Sequence, residues 1–186
     1  MTERKLPEIL SAHIAAETKL FRVEALHLRF ANGVERHYER LRAGTRPAVM
    51  IIALLNDHTV LLTREYAAGV ERYELALPKG LSEAGEAPEQ AANRELMEET
   101  GYGARKLTRL KSLTLAPGYL NHRMELILAE DLYEQRLPGD EPEEIEVVPW
   151  SLHELDRLFE RDDVSEARTI AALLLVRDRL RSDGRI

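Results

Sequence analysis

Residues 80–102 read GLSEAGEAPEQAANRELMEETGY, and this stretch decides the fold prediction. Its second half predicts a helix over residues 89–100, because Pro88 suits a first helical turn and Gly101 suits a helix end. The glycines at 80 and 85 let the loop before this helix fold tightly, since glycine adopts backbone conformations that other residues avoid. The stretch is therefore predicted to form a loop followed by a helix.

Three carboxylates crowd one face of that helix. At about 100° per residue, Glu99 lies about 40° to one side of Glu95 and Glu98 lies about 60° to the other side. They occupy the last turns, where the helix dipole disfavours each anion by about 0.3–1 kcal/mol. A solvated acidic surface is the alternative explanation, but a helix selected for stability would carry Lys or Arg there. The pattern favours a bound divalent cation, and oxygen ligands favour Mg²⁺ or Mn²⁺ over zinc.

The fixed residues of the stretch match the motif of the Nudix hydrolases, G-x5-E-x7-R-E-U-x-E-E-x-G-U, where U is a bulky apolar residue. The matching positions are Gly80, Glu86, Arg94, Glu95, Leu96, Glu98, Glu99, Gly101 and Tyr102. The chain thus resembles this family, which implies an α/β fold with a mixed β-sheet sandwiched between helices. The resemblance further implies that Mg²⁺ is held by four groups: the backbone carbonyl of Lys79 and the carboxylates of Glu95, Glu98 and Glu99.

Residues outside this motif resemble the ADP-ribose pyrophosphatase branch of the family. Pro117 lies 15 residues after Tyr102, a spacing that marks this branch. The resemblance implies hydrolysis of the diphosphate linkage in ADP-ribose, NADH or diadenosine polyphosphates, with release of AMP. Many enzymes of the branch carry an arginine where this chain has Ala67, which suits a broader substrate range. The alternatives are a hydrolase of GDP-sugars or other nucleoside diphosphates, and a noncatalytic nucleotide-binding regulator.

An acid-rich loop over residues 139–144 is the best source of a general base, which should be a carboxylate not saturated by metal. The related enzymes place their base on the equivalent loop, where Glu141 and Glu143 align best, and Glu98 is a further catalytic candidate. The alternative explanation is that residues 139–144 form only a solvated acidic loop with no catalytic role. Guanidinium groups match phosphate oxygens, so the predicted substrate contacts besides Pro117 are Arg40, Arg46 and Arg64.

The rest of the chain predicts two regions. Residues 20–41 alternate around Asn32-Gly33, which predicts a β-hairpin, and the apolar run 48–55 predicts a strand buried on both faces. We therefore expect an N-terminal hairpin segment over 1–45 and a Nudix domain over 46–186. The resemblance implies a homodimer in which the N-terminal segment helps to build the partner's substrate pocket. The further predicted elements are strands at 107–115, 124–129 and 145–148, and helices at 152–161 and 165–181.

Composition excludes several other classes. The 186 residues include 33 acidic and 26 basic side chains, a net charge of −7, which disfavours a nonspecific nucleic-acid binder. The longest apolar run is much shorter than the roughly 20 residues of a membrane span. No cysteine is present, which excludes disulfides, Cys-zinc sites and thiol nucleophiles and fits a cytoplasmic protein. Its expected partner is a nucleoside-diphosphate-linked small molecule.

Overall fold

The computed structural model describes residues 4–42, 44 and 46–186. Two compact units form: one from residues 1–45 together with 114–123, the other from 46–113 together with 124–186. The predicted domain boundary lies after residue 45. Residues 43 and 45 are outside the described residues, so this boundary stays a prediction. No helix in the described part of the chain is long and apolar enough to cross a membrane.

Eleven strands and three α-helices make up the described chain. In chain order they are β1 (Glu8–Glu17), β2 (Arg22–Arg29), β3 (Glu35–Arg42), β4 (Ala48–Asn56), β5 (Thr59–Ala67), β6 (Arg72–Ala76), β7 (Lys79–Leu81), α1 (Pro88–Thr100), β8 (Tyr102–Thr114), β9 (Leu120–Asn121), β10 (Arg123–Glu134), β11 (Glu146–Ser151), α2 (Leu155–Phe159) and α3 (Ala167–Ser182).

The first unit is a four-stranded sheet in the order β1-β2-β3-β9. Strands β2 and β3 pair antiparallel across the Asn32-Gly33 turn, where Gly33 has a φ of 81°. This is the predicted hairpin, since a turn with a positive φ favours glycine. Strand β1 pairs antiparallel with β2 at the edge of the sheet and was not predicted. Nearly all of its side chains are exposed, so no burial pattern marks it in the sequence.

The second unit is a mixed sheet in the order β11-β5-β4-β10-β8, with β6 beside β5 and β7 beside β4. Strand β4 runs antiparallel to β5 and parallel to β10. Its side chains are buried on both faces, as the apolar run predicts.

Helices cover both faces of this sheet. Val49, Ile51 and Ala53 of β4 belong to the core that includes Leu96 of α1. The alternate residues of β4, such as Met50 and Ile52, belong to the opposite core with apolar residues of α2 and α3. The α/β fold with a mixed sheet between helices is therefore confirmed.

Helix α1 carries the motif on a well-defined frame. Pro88 occupies its first turn, and Gly101 ends it in the left-handed region with a φ of 78°, its N–H donating to the carbonyl of Met97. No basic residue lies in the last turn of α1, so the unfavourable interaction of its carboxylates with the helix dipole is not offset by a cation in that turn.

The C-terminal prediction needs one correction. The predicted helix 152–161 is a 3-10 turn over Leu152–Glu154 followed by the short α2. Helix α3 matches the predicted helix 165–181 within two residues.

Candidate active site

A polar cleft of about 570 Å³ in the second unit brings most of the predicted site residues together. Its walls come from β5, β7, α1 and the loop after β10. Seven acidic side chains line it against three basic ones. The charged lining residues are Arg46, Glu65, Lys79, Glu83, Arg94, Glu95, Glu98, Glu99, Asp140 and Glu141.

Gly80 of β7 leaves room for the side chain of Glu95 on α1. Strand β7 pairs antiparallel with β4, which places Gly80 opposite Val49. A Cβ atom added at Gly80 would lie 1.9 Å from Cδ of Glu95. The missing side chain therefore lets the Glu95 carboxylate rest directly against the backbone of residue 80.

Arg94 is the centre of the ionic contacts in the cleft. Its Nη1 donates to Glu95 at 2.9 Å and to Glu98 at 2.8 Å. Its Nε and Nη2 each donate to Glu86 at 3.1 Å, and Nη2 also donates to the carbonyl of Leu81 at 2.9 Å. These carboxylates raise the pKa of Arg94 further above its usual range, with the hydrogen bond to Glu86 as the largest cause. Arg94 thus fixes the motif carboxylates relative to the loop before α1.

Glu99 is the most deeply buried carboxylate of the cleft. Burial raises its pKa to about 9, and the nearby charges of Glu65 and Glu95 act in the same direction. Its two carboxylate oxygens accept long hydrogen bonds of 3.3 and 3.4 Å from the backbone N–H of Lys79. Burial also raises the pKa of Glu95, which Arg94 partly offsets. Removing several carboxylates from water without enough positive charge is unfavourable, so this cleft favours a bound cation.

Glu65 is a cleft residue that the sequence prediction did not single out. Its carboxylate accepts hydrogen bonds from Lys79 Nζ at 3.0 Å and from the Thr63 hydroxyl at 3.1 Å. Thr63 and Glu65 are two apart on β5 and therefore share one face of the sheet, which is the signal that could have identified Glu65.

The donor set fits a hard divalent cation. Every candidate ligand presents oxygen, and the backbone N–H of Lys79 contacts the carboxylate of Glu99. Within the described residues, no three acidic or histidine side chains are already arranged around a metal position. Arg94 explains this, because it draws Glu95 and Glu98 toward its guanidinium group.

Two predicted site residues of the second unit do not line the cleft. Arg64 forms ion pairs with Asp163 at 2.5 Å and Glu146 at 2.8 Å. Together with Arg161, it holds the pKa of Asp163 well below its usual range. Glu143 accepts a hydrogen bond from the Tyr73 hydroxyl at 2.7 Å. Their predicted roles in substrate binding and catalysis stay predictions.

Arg40 and Pro117 lie together in the first unit. Both line a groove of about 290 Å³ that also contains Tyr38 and Tyr119. The guanidinium of Arg40 pairs with the buried Glu24 at 2.7 Å. This pairing holds Arg40 in place but leaves fewer donors for a phosphate.

Comparisons with known proteins agree with the motif. A model of the NUDIX domain matches residues 44–174, and a model of the NudE-type Nudix hydrolase N-terminal domain matches residues 7–40. The chain is 48% identical over 180 residues to the ADP compounds hydrolase NudE of Escherichia coli (strain K12), covering 97% of this chain and 96% of that protein. It is 34% identical over 128 residues to the ADP-ribose pyrophosphatase of Bacillus subtilis (strain 168), covering 68% and 69%. A crystal structure of an ADP compounds hydrolase matches with a TM-score of 0.91 and 47% identity over the whole of both chains.

Proposed function

Since the chain belongs to the Nudix hydrolase family and is a pyrophosphohydrolase, we propose that it hydrolyses ADP-linked compounds at their diphosphate linkage. The candidate substrates are ADP-ribose, NADH and diadenosine polyphosphates, and AMP is the shared product. The observation that carries this proposal is the acidic cleft around Glu99, with every fixed residue of the motif present. The name of the Escherichia coli relative supports the ADP-linked substrate class.

The proposed cofactor is Mg²⁺, with Mn²⁺ as a substitute of similar chemistry. The carbonyl of Lys79 and the carboxylates of Glu95, Glu98 and Glu99 would hold it, and the raised pKa of Glu99 supports a site made for a cation. When bound, the cation supplies positive charge against the phosphates and makes a bound water more acidic.

The side chains of the cleft have separate proposed tasks. Water attacks one phosphorus, so a new P–O bond forms, the bridging P–O bond breaks, and the water loses a proton. We assign that proton to the carboxylate of Glu141, which lines the cleft and whose charge acts on Glu95. Arg46 lines the same cleft and has no ion pair among the residues that the structure describes, so it is the proposed phosphate contact there. Arg40, Arg64 and Pro117 remain further proposed substrate contacts.

A substrate panel tests the proposal. Purified protein is mixed with ADP-ribose, NADH or diadenosine polyphosphates in the presence of Mg²⁺ or Mn²⁺, and products are separated by chromatography. We expect AMP from each ADP-linked compound, with ribose 5-phosphate as the second product from ADP-ribose, and no turnover after chelation. If GDP-sugars were turned over faster than the ADP-linked compounds, GDP-sugars would replace them as the proposed substrate class. Nucleotide binding without any turnover would favour the regulator alternative.

We also propose a homodimer in the cytoplasm. Strand β1 ends the first unit's sheet, and its apolar side chains Ile9 and Ile14 are 57% and 41% exposed. An exposed edge strand with apolar side chains is a common site of pairing between chains. The cysteine-free composition suits the reducing cytoplasm. Light scattering should give twice the chain mass, and a monomeric mass would contradict the dimer.

A further inference from the structure

The loop that carries Glu141 has little attachment to the rest of its unit. Before it, the N–H of Leu137 donates to the carbonyl of Met97, and β11 begins after it at Glu146. Between residues 138 and 145, the described structure contains one hydrogen bond to the rest of the unit. That bond is donated by the Tyr73 hydroxyl to a carboxylate oxygen of Glu143 at 2.7 Å.

The donor of this hydrogen bond is firmly placed. Tyr73 lies on β6 directly opposite Tyr66 of β5, and the two rings meet edge to face with centroids 5.7 Å apart. The next residues of β6, Glu74 to Ala76, are buried. The hydroxyl therefore projects from a fixed strand, and the bond to Glu143 connects this strand to the loop.

We propose that Tyr73 is a positioning residue, whose hydrogen bond to Glu143 holds the loop so that Glu141 faces the carboxylates of α1. This inference rests on the proposed function, because it takes Glu141 as the proton acceptor. It also gives Glu143 a role that does not require contact with substrate. A base contributes most to turnover when it is held within hydrogen-bonding distance of the attacking water. If the loop samples many conformations, its base is at that distance for less of the time and turnover falls.

The protonation state of the Tyr73 hydroxyl suits its hydrogen bond to Glu143. The hydrogen bond to Glu143 raises the pKa of Tyr73, so the hydroxyl keeps its proton at neutral pH and donates to the carboxylate. A hydrogen bond to a charged acceptor is stronger than one between neutral groups. Because Tyr73 is 46% exposed, water competes for the bond, and its loss should loosen the loop without unfolding the unit.

The test compares two tyrosine variants. Tyr73→Phe removes the hydroxyl and keeps the ring, and we expect kcat on ADP-ribose to fall about five- to tenfold with KM changed less than about twofold. Tyr66→Phe is the matched control, since the Tyr66 hydroxyl has no hydrogen bond among the described residues and the ring packing is preserved. We expect this control to match the wild type.

The variants of the loop separate positioning from proton transfer. Glu143→Gln keeps a carbonyl acceptor for Tyr73 and should retain most of the turnover that Glu143→Ala loses. The double variant Tyr73→Phe with Glu143→Ala should have nearly the same kcat as Glu143→Ala alone, because both substitutions remove the same hydrogen bond. Glu141→Gln should lower kcat about a hundredfold or more. If Glu143→Gln is as inactive as Glu141→Gln, Glu143 is the base and the positioning role is wrong.

Hydrogen exchange of residues 138–145, measured without substrate or metal, tests the loop independently of turnover. We expect faster exchange in Tyr73→Phe than in the wild type and in Tyr66→Phe. Unchanged exchange, or faster exchange with unchanged kcat, would overturn the inference. If the wild type hydrolyses none of the substrates, the proposed function fails, and the exchange result still decides whether Tyr73 restrains the loop.

Discussion

Glu99→Gln is expected to lower kcat on ADP-ribose by about a thousandfold or more, or about 4 kcal/mol of transition-state stabilisation, while the protein stays folded. Glutamine has nearly the same shape and can still accept the N–H of Lys79. It lacks the negative charge that a divalent cation needs from its ligands. Steady-state kinetics with saturating Mg²⁺ measure the effect. Glu125→Gln is the control, because Glu125 is a largely buried carboxylate paired with Arg109 outside the cleft. A fully active Glu99→Gln would refute the metal assignment.

The same substitution should change how stability depends on pH. The pKa of Glu99 is about 9 in the folded metal-free protein, against 4.5 as its ordinary value. The folded state therefore binds this proton more tightly, and the free energy of unfolding falls as pH rises from about 4.5 to about 9. Glu99→Gln removes this fall in the free energy of unfolding, because glutamine does not titrate. We expect the variant to unfold at a higher temperature than the metal-free wild type at pH 8, by a free energy on the order of a few kcal/mol, and at a similar temperature near pH 4.5. Parallel pH profiles of the two proteins would contradict this.

Arg94→Ala should affect both stability and activity. Arg94 contacts three carboxylates that are each less than one-fifth exposed, namely Glu86, Glu95 and Glu98. Its removal leaves three mostly buried anions without their cation, and we expect the free energy of unfolding to fall by about 2–4 kcal/mol. Because Glu95 and Glu98 also lose their orientation, kcat should fall by at least about a hundredfold.

Denaturant unfolding and steady-state kinetics measure these two effects of Arg94→Ala. Arg157→Ala is the control, since Arg157 forms an exposed pair with Glu154 and should change stability by less than about 1 kcal/mol. Wild-type stability and turnover in Arg94→Ala would show that the carboxylates do not depend on this residue.

Local signals were sufficient to predict the elements that position the cleft. The limits of α1 follow from Pro88 and Gly101, which act within one turn of the chain. The apolar run of β4 reflects burial on both faces. Strand β1 could not be predicted, because an exposed edge strand needs neither alternation nor hydrophobicity. The sequence therefore indicates best those elements whose neighbours lie close along the chain or whose faces are both buried.

Long-range contacts explain most of what the sequence left open at the site. Arg64 is predicted as a substrate contact because any arginine can bind phosphate, and its ion pair with Asp163, 99 residues away, has no signal in the local sequence. Tyr73 and Glu143 are 70 residues apart, so spacing could not separate the two candidate bases. The motif carboxylates were found because one helix presents them together, within five residues of each other.

The absent side chain at residue 80 has a consequence for experiments that select variants from a library. An added methyl group there would meet the end of the flexible Glu95 side chain, which can swing aside without disturbing the sheet. A screen for soluble, folded protein should therefore accept alanine at this position, whereas a screen for turnover should return glycine. Gly69 has open space around it and lines neither the cleft nor the groove, so both screens should tolerate alanine there. Residue 80 would thus appear neutral or indispensable according to the property being selected.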